Sequence, residues 1–538
     1  MFRRLICAIL AAALGLALLY VAATTDVPEY SDPGSAAPAA EADDTAESAA
    51  DDGSLTLWYT DDSLTDYLSG VALSFEQDQG IKVNTVLKDG VRFLETINDI
   101  SVEEEGREEA MPDLYITSHD NLLRAYLSGL ASVITDPAEI VTEEMYPHTA
   151  IAAVTCYDHL VAYPLYYETN FFLYNKTYMA SIAQNKIEAE ADLAEGEEAT
   201  RKLEEEGDPK EEAKEIETDS DGDSGSGDGQ DNDGGSDDGM PPEDEDENPM
   251  GEEDATADRA VLEQLATMIP ATIDDIKTFA NNYDAPEAVE SVFKWDVSDI
   301  FYNYFFVGNY MDVGGENGDN ASVFNIYNSQ AVECLREYQE MNQFFSIDSK
   351  VDNYDRILQD FIDGKMVFTV ATTDAIARIH EAQRRGEFDF EYGVSTLPDI
   401  STLLKARGLS VTDAVAINGY SEKKADANRL ATYLVNYKAS DLYMKSGKVS
   451  CFKGVEFEDA EIANVMAEYE RSMPLPKMVE ATNFWVQLEI AFTKVWKGGD
   501  PDEILRELSD TIGAQIEEIK ANLPTQESFS AGGGKFVQ

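Results

Sequence analysis

Residues 160–176 read LVAYPLYYETNFFLYNK, in which two apolar runs lie on either side of Pro164. The runs are Leu160–Tyr163 and Phe171–Tyr174, and both are rich in residues that favour extended backbone. Proline cannot donate a hydrogen bond to a neighbouring strand, so it interrupts a sheet unless the local geometry accommodates it. The stretch therefore predicts two short strands separated near the proline.

Outward from this stretch, strand-like and helix-like segments alternate in both directions. Upstream, the pattern predicts strands over Ser54–Tyr59, Ile81–Val86 and Asp113–Thr117, with helices over Leu64–Gln77 and Asn121–Ser128. Downstream, it predicts helices over Thr272–Asn282 with Thr272 as N-cap, Ser329–Phe344, Tyr354–Asp363 and Lys424–Tyr437, strands over Met366–Ala371, Glu391–Leu397 and Val411–Ile417, and mostly helix over 459–519. Strand–helix–strand units favour parallel pairs with right-handed crossovers, so we predict an α/β body.

The composition supports a folded core and excludes several classes of protein. The chain has 538 residues, of which 43% are hydrophobic, which rules out a wholly disordered protein. It carries 39 Lys and Arg against 106 Asp and Glu, a net charge of −67. Phosphate contacts need clustered cations, so this balance excludes a general nucleic-acid binder and argues against docking on anionic lipids. Four Cys and four His leave little room for zinc modules or a disulfide scaffold.

The amino terminus has the pattern of an export signal. Arg3 and Arg4 precede an apolar run from Leu5 to Ala23. The run suits either a cleaved signal peptide or an uncleaved membrane anchor, so residues 1–25 are expected to be one of these two. Residues 26–53 lack Lys and Arg and are rich in Ala, Asp, Glu, Ser and Pro, which predicts a disordered linker. We therefore expect an exported protein, either secreted or held at the extracellular face of the membrane.

Residues 187–258 form an acidic segment with 31 Asp and Glu and only 4 Lys and Arg. Its start, Lys186 to Glu212, has helical composition, but its centre is almost entirely Asp, Gly and Ser and the remainder has no apolar periodicity. We therefore predict a disordered insertion at a surface turn. Asp219, Asp221 and Asp223 resemble the start of a calcium loop, but Ser224 stands where the calcium-loop pattern requires Gly. Loose divalent-cation binding remains an alternative, although no metal site is predicted.

Motifs for catalysis are missing from the sequence. No Walker sequence, G-x-S-x-G, H-E-x-x-H or dinucleotide fingerprint is present. The four His show no ligand-type spacing, and carboxylates are too abundant for sequence to single out a catalytic pair. We therefore expect neither an enzyme nor a cofactor. For Cys156, Cys334 and Cys451, isolated buried thiols are the main expectation and one long-range disulfide is the alternative.

Eight segments in order resemble bacterial extracellular solute-binding proteins of the maltose-binding type. They are SLTLWYTDDSLTDYLSGVALSFEQDQGIKV, MPDLYITSHDNLLRAYLSGLASVI, LVAYPLYYETNFFLYNK, IPATIDDIKTFA, FIDGKMVFTVA, YGVSTLPDI, AVAINGYSEKKADANRLATYLV and MPLPKMVEATNFWVQLEIAFTKVWKGGDPDEIL. The resemblance covers roughly residues 54–180 and 270–520. It implies a periplasmic-binding-protein-like fold, in which two α/β lobes enclose a cleft that closes on its ligand by a hinge.

The resemblance also implies domain boundaries and a partner. One lobe is expected to contain residues 54–165 and 408–455, and the other residues 168–405 and 456–520, with a flexible tail over 521–538. Hinge crossings are expected near Tyr163–Glu168 and Leu409–Ile417. The family delivers its solute to an ABC transporter permease, so such a permease is the implied protein partner and the chain is expected to be a monomer.

By position, the resemblance implies a set of ligand-binding residues. Asp62 matches the cleft acid after the first strand, Asp120 the acid of the HD pair, and Glu168 the acid after the AYP motif. Trp485 matches a stacking tryptophan and Phe301 a cleft aromatic, whereas Tyr166, Tyr167 and Tyr302 are candidates only because they lie nearby. Alternatives stay open: a helix cap for Asp62 and Asp120, a hinge salt bridge for Glu168, and core packing for Trp485.

Four positions depart from the maltose-type pattern. Thr117 and Asp374 stand where stacking aromatics are expected, and Ser63 and Asn121 stand where basic residues are expected. A site that contains Asp374 in place of an aromatic is more acidic than a maltodextrin site. A sugar or oligosaccharide is the leading expectation for the ligand. The alternatives are a cationic ligand such as a polyamine, a surface sensor or adhesion module, and an extracellular enzyme.

Overall fold

The computed structural model describes residues 53–102, 110–135, 140–206, 250–481 and 483–522. The predicted signal or anchor at 1–25, nearly all of the linker at 26–53, and most of the tail at 521–538 lie outside the described residues. Within the described ranges the chain forms an α/β body around a ten-stranded sheet, as the sequence predicts. The main path of this sheet runs in the order β2-β1-β3-β12-β6-β10-β7, while β11 and β13 also pair with β6 and β14 pairs with β12.

The bounds of the strands agree with most of the predicted β segments. The sheet strands are β1 (Leu55–Tyr59), β2 (Val83–Leu87), β3 (Leu114–Ser118), β6 (Tyr163–Asn175), β7 (Ser291–Lys294), β10 (Met366–Thr372), β11 (Tyr392–Ser395), β12 (Leu409–Ile417), β13 (Val449–Ser450) and β14 (Met473–Pro474). Two small hairpins are formed by β4 (Thr155–Cys156) with β5 (His159–Leu160) and by β8 (Asp312–Val313) with β9 (Phe324–Asn325).

The helices cover both faces of this sheet. They span Thr65–Gln79, Phe93–Val102, Leu122–Leu127, His148–Val154, Lys176–Glu206, Met250–Met268, Ile273–Asn282, Ile300–Asn303, Ser329–Phe344, Tyr354–Ile362, Asp374–Arg385, Lys424–Thr432, Ala439–Ser446, Glu461–Arg471, Phe484–Trp496 and Pro501–Asn522. Short 3-10 helices lie at Asp62–Leu64, His119–Asn121, Tyr304–Phe306 and Val479–Ala481, and a π-helical turn at Tyr433–Tyr437. Thr272 caps its helix through a reciprocal pair of bonds with Asp275, which confirms the predicted N-cap.

One prediction about the strands is wrong. The two strands expected around Pro164 are a single 13-residue strand, β6, that runs from Tyr163 to Asn175. Pro164 is accommodated because the pairing of β6 with β12 shifts register between Asp413 and Ala414, and Pro164 pairs with Ala414 just beyond that irregularity. The first half of β6 pairs with β12, and its second half pairs with β10. The strand therefore joins the two halves of the sheet.

Three apolar clusters fill the space between sheet and helices. In β1, Leu57 and Trp58 belong to different clusters, as do Phe172 and Leu173 in β6, because successive side chains point to opposite faces. The cluster of Leu57 and Leu173 spans both halves of the sheet and also contains Ile376, and we call it the shared core. The two halves are thus tied together through β6, β12 and the shared core.

The acidic segment is helical at both ends, although disorder was predicted over 187–258. Lys176–Glu206 and Met250–Met268 are helices that pack against each other, and only the first of them has a counterpart in the helical composition of 186–212. Both stretches are rich in Ala and Glu, residues with high helix propensity. The central residues 207–249 lie outside the described ranges.

Among the described helices, none combines the length and apolarity needed to cross a bilayer. Cys156, Cys334 and Cys451 are buried free thiols, in line with the main expectation for them.

Candidate functional site

The residues implied by the sequence follow the ends of parallel strands. β1 runs parallel to β3 in one half of the sheet, and β7 runs parallel to β10 in the other. Asp62 follows β1, Asp120 follows β3, Phe301 follows β7 and Asp374 follows β10. β6 runs parallel to β3 and antiparallel to β10, so the carboxyl ends of β3 and β10 point toward each other and meet beside residues 166–170 of β6. Ligands of α/β sheets bind outside the carboxyl ends of the strands, so this junction is the candidate site.

Strand β6 contributes side chains to two different environments. Tyr167 is fully buried and its ring stacks on Tyr469, with ring centroids 3.9 Å apart and planes within 6°. Tyr166 is also buried and borders the shared core, but its ring and the Glu168 carboxylate, unlike Tyr167, contact Lys448. Because side chains alternate along a strand, Tyr166, Glu168 and Asn170 share the opposite face of β6, which we call the front face. Tyr167, expected to bind ligand, lies in the shared core and is removed from the candidate site.

Lys448 organises the charged part of the front face. Its ammonium lies 3.0 Å from Asp61 Oδ2, 3.3 Å from Glu168 Oε1 and 5.2 Å from the centre of the Tyr166 ring. Burial lowers the pKa of Lys448, but Glu168 and Asp61 outweigh burial and raise it above its usual value. Burial likewise raises the pKa of Asp61, yet Lys448 and Ser63 hold it below its usual value. Glu168 is thus part of an ion pair, as one alternative expected.

The acid after β1 that faces the site is Asp61, one residue before the predicted Asp62. Asp61 is 8% exposed and caps the Asp62–Leu64 turn, with Oδ1 accepting bonds from Ser63 N at 3.1 Å and Ser63 Oγ at 2.8 Å. Asp62 is exposed on the outside of that turn. The capping role points Asp61 inward, and sequence alone does not reveal which of two adjacent aspartates turns toward the lysine.

Asp120 lies half-buried at the end of β3. Ser118 Oγ donates to its Oδ1 at 2.5 Å, and burial raises the pKa of Asp120 above its usual value. The adjacent His119 is fully buried: Thr412 N–H donates to Nδ1 at 3.0 Å, so Nε2–H donates to Leu475 O at 2.8 Å. Burial lowers the pKa of His119 to about 3, and the neutral ring ties β3 to β12 and to the 473–478 segment.

Aromatic side chains lie at the end of β10. The rings of Tyr302 and Tyr354 stack with centroids 4.9 Å apart, and Tyr354 OH donates to Asp374 Oδ1 at 2.7 Å. Thr372 Oγ1 donates to the same oxygen, and Arg378 lies 3.6 Å from Asp374 Oδ2. Asp374 therefore orients the Tyr354 hydroxyl group. It does not supply the stacking surface that the maltose-type pattern has at this position.

Phe301 and Trp485 lie on two elements that pack together, Ile300–Asn303 and Phe484–Trp496. Phe301 is 2% exposed, so its ring belongs to the core, while its carbonyl accepts a 2.7 Å bond from Asn170 on the front face. Trp485 is half-buried, and its ring meets Tyr304 edge to face at 5.4 Å. Of the two predicted aromatics, Trp485 keeps part of its surface available for a ligand.

The structure brings the predicted residues together as two groups along the front face. Asp120 and Glu168 belong to a charged group with Asp61, Lys448 and Asp413, since each contributes to the electrostatic field at Asp413. The second group contains Tyr302, Tyr354 and Asp374. The core residue Phe301 packs against Tyr302, and Trp485 lies on the helix that packs against the Ile300–Asn303 turn. Asn170, two residues beyond Glu168, links the groups through Phe301. No sequence motif marks Asp61, Lys448 or Asp413, and Asp413 and Lys448 join the site through strand pairing.

Chemically, this arrangement offers hydrogen-bond acceptors, one ammonium and aromatic surface. Carboxylates accept hydrogen bonds from hydroxyl and ammonium groups, a lysine ammonium donates to hydroxyl oxygens, and the accessible part of an indole face packs against C–H surface. In the described residues no cluster of three or more His, Cys, Asp or Glu side chains is arranged to hold a metal ion.

No family model matches the sequence. Solved structures do match its fold. An extracellular solute-binding protein from Staphylococcus aureus in complex with maltose superposes with a TM-score of 0.61 at 17% identity, covering 88% of this chain and 99% of that one. A cyclo/maltodextrin-binding protein complexed with maltotetraose gives 0.60 at 16% identity over 88% and 99%.

The maltose-binding periplasmic protein MalE from Listeria monocytogenes, in complex with maltose, gives a TM-score of 0.59 at 17% identity over 87% of this chain and 99% of that one. At this level of identity the matches establish the fold. The chain therefore has the two-lobe, periplasmic-binding-protein-like fold of these solved structures, which confirms the fold that the sequence resemblance implies.

Proposed function

We propose that this chain is an exported solute-binding protein that captures a sugar or oligosaccharide between its lobes and delivers it to an ABC transporter permease. The observation that carries the proposal is the front face of β6, where the carboxylates of Asp61 and Glu168 meet Lys448 at the junction of the strand ends. The half-buried Trp485 lies on a helix that packs against the Ile300–Asn303 turn, whose Phe301 carbonyl is bonded by Asn170 of the same face. All three matched structures are of proteins solved with maltose or maltotetraose.

The chemistry of the site suits a neutral, hydroxyl-rich ligand. A sugar presents hydroxyl groups that donate to carboxylates and a C–H face that packs on an aromatic ring. Glu168 supplies a carboxylate whose position is held by Lys448, and Trp485 supplies the ring. The role of these residues is binding, and no step of covalent chemistry is needed.

The domain boundaries and partners are part of the same proposal. Residues 54–165 with 408–455 form one lobe, and residues 168–405 with 456–520 form the other, with β6 and β12 as hinge crossings. Their pairing in the middle of the sheet supports this division. We further propose that the protein acts as a monomer outside the cytoplasm, secreted or held at the membrane by residues 1–25.

Titration calorimetry with a saccharide panel tests the ligand assignment. Maltose, maltotriose and maltotetraose are the first probes, followed by other neutral oligosaccharides, and spermidine serves as the cationic probe. For the tightest saccharide we expect Trp485→Ala and Glu168→Gln each to weaken binding about tenfold or more, because an aromatic anchor or a charged hydrogen bond is worth about 2 kcal/mol.

Tyr437→Ala is the matched control, because Tyr437 is an aromatic residue that is 76% exposed and belongs to neither group of the site. We expect the Tyr437→Ala variant to bind the saccharide with the same affinity as the wild type. Binding of spermidine without binding of any saccharide would contradict the sugar assignment and favour the cationic alternative. Equal affinities for the Trp485 and Tyr437 variants would remove Trp485 from the site.

A further inference from the structure

Asp413 occupies the centre of the charged group, although no sequence pattern marks it. It lies on β12 between two neighbouring strands, paired with Ser118 of β3 and with Tyr166 of β6. The preceding Thr412 bonds Tyr469 OH at 2.6 Å on the shared-core side. Alternation along the strand therefore points Asp413 to the front face, beside Tyr166 and Glu168.

Acids face Asp413 from three elements, and one ammonium faces it from a fourth. Glu168 approaches from β6, Asp61 from the turn after β1 and Asp120 from the turn after β3, while Lys448 approaches from the residue before β13. Further titratable neighbours are Tyr166 on β6, the buried thiol Cys451 after β13, the neutral His119 behind Thr412, and Arg124, which acts on Asp120. Carboxyl groups thus outnumber cations around Asp413.

Lys448 is already committed to two of these acids. Its ammonium lies within 3.3 Å of both Asp61 and Glu168, and Asp61 also receives two bonds from Ser63. If the half-buried Asp413 were ionised, it would add a negative charge here with no counterion of its own. Burial, and after it Glu168, accordingly raises the pKa of Asp413 to about 8.

We propose that Asp413 is an additional ligand-contacting residue of the cleft, and that it acts in its protonated form as a hydrogen-bond donor to an oxygen of the solute. This inference rests on the proposed function and specifies the chemistry of the same site. Asp413 donates and Glu168 accepts, so the pair recognises a neutral ligand with an acceptor oxygen beside a hydroxyl group, as a saccharide has. A cationic ligand would instead favour the ionised form of Asp413.

The protonation of Asp413 is tested first without ligand. The folded-state pKa is raised, so the contribution of Asp413 to stability is greatest at low pH and decreases as pH rises toward about 8. Asp413→Asn keeps the shape and has no proton to lose. The melting temperature of the variant minus that of the wild type is therefore expected to increase from pH 5 to 8 and to level off by pH 9. A difference that stays constant would overturn the proposal.

The donor role is tested by calorimetry with maltotriose at pH 6 and pH 9. With a pKa near 8, about a tenth of the molecules keep the proton at pH 9, so the wild-type affinity is expected to fall about tenfold. Asp413→Asn is expected to bind within threefold of the wild-type value at pH 6 and to change little with pH, because its amide still donates. This comparison cancels the titration of other groups.

The outcomes separate the inference from the proposed function. Maltotriose binding that is independent of pH in the wild type overturns the role of Asp413 and leaves the sugar assignment intact. Spermidine binding that strengthens with pH, without maltotriose binding, overturns both. If the Asn variant does not fold, the wild-type pH profile alone decides, since a loss of affinity centred away from pH 8 contradicts the assignment.

Discussion

Lys448 balances two carboxylates of the candidate site with a single ammonium. Its side chain is 15% exposed, and those of Asp61 and Glu168 are 8% and 16% exposed. Removing one partner of such a group leaves buried charge without compensation. We predict that Lys448→Met lowers the free energy of unfolding by about 2–4 kcal/mol.

Urea denaturation measures this loss, with Arg336→Met as the control. Arg336 pairs with Glu333 on an exposed helix surface, where both side chains are about half exposed, and such pairs contribute less than about 1 kcal/mol. Equal losses for the two variants would show that Lys448 is not a buried counterion.

Asp459 makes stability depend on pH in the acid range. Burial raises its pKa, but bonds from His380 at 3.0 Å and from Tyr392 OH outweigh burial and lower the pKa to about 2. The stabilisation is complete above the unfolded-state pKa near 4 and is lost as pH falls toward 2. The Asp459→Asn variant lacks this stabilisation. The free energy of unfolding of the wild type minus that of the variant is therefore expected to shrink by roughly 1–2 kcal/mol between pH 5 and 2.5.

Denaturant unfolding across this range checks the prediction, with the exposed Asp66→Asn as the control. A difference for Asp459→Asn that follows the Asp66 variant at every pH would show that the carboxylate is not specially stabilised.

At the same scale, sequence located the neighbourhood of the site better than its individual side chains. Glu168 and Asp120 lie in the charged group, but the inward acid after β1 is Asp61, and Tyr167 points into the shared core. Strand alternation explains why the Tyr167 side chain points away from Glu168. Which of the two faces of β6 is covered by the core depends on tertiary packing. Asp413 lies far along the chain from its neighbours Ser118 and Tyr166, so only long-range strand pairing reveals its role.

At the scale of elements, local signals predicted most helices and strands. The helix after Thr272 and the strand Met366–Thr372 follow the patterns of capping and β-propensity closely. The errors occur where tertiary context outweighs local preference. Pro164 is tolerated because of a register shift in its partner strand, and the charged ends of the acidic segment become helices that pack on each other.

Gly318 brings the backbone of the 314–320 loop into close contact with the 473–478 segment. It has φ +66°, and a Cβ there would lie 2.8 Å from Pro476 Cα. Its carbonyl accepts bonds from Lys477 N at 2.7 Å and Met478 N at 2.9 Å. We predict that Gly318→Ala lowers stability by about 2–4 kcal/mol, because left-handed strain adds to a backbone clash.

Gly386→Ala separates the cost of left-handed backbone strain from the cost of the backbone clash. Gly386 has φ +68° with nothing within 4 Å of its Cβ position, so its substitution carries only the conformational cost of about 1–2 kcal/mol. Chemical denaturation of both variants gives the difference. A Gly318 variant no less stable than the Gly386 variant would contradict the close contact between the 314–320 loop and the 473–478 segment.

For the whole molecule, the fold sets how a ligand is held. The two halves of the sheet are joined through β6, β12 and the shared core. Under the proposed division into lobes, a rotation of one lobe against the other would pivot near residues of the front face. Glu168 and Asp413 lie on these crossing strands, while Trp485 lies on a helix packed in the second half of the sheet. A ligand that contacts both sets therefore favours the closed arrangement.

A crystal structure of the protein grown with the tightest-binding saccharide of the panel tests this account most directly. We predict saccharide density between Glu168 and Trp485, with Asp413 within hydrogen-bond distance of a saccharide oxygen and protein contacts from both lobes. Saccharide bound only on an outer surface, or by residues of one lobe alone, would contradict the account.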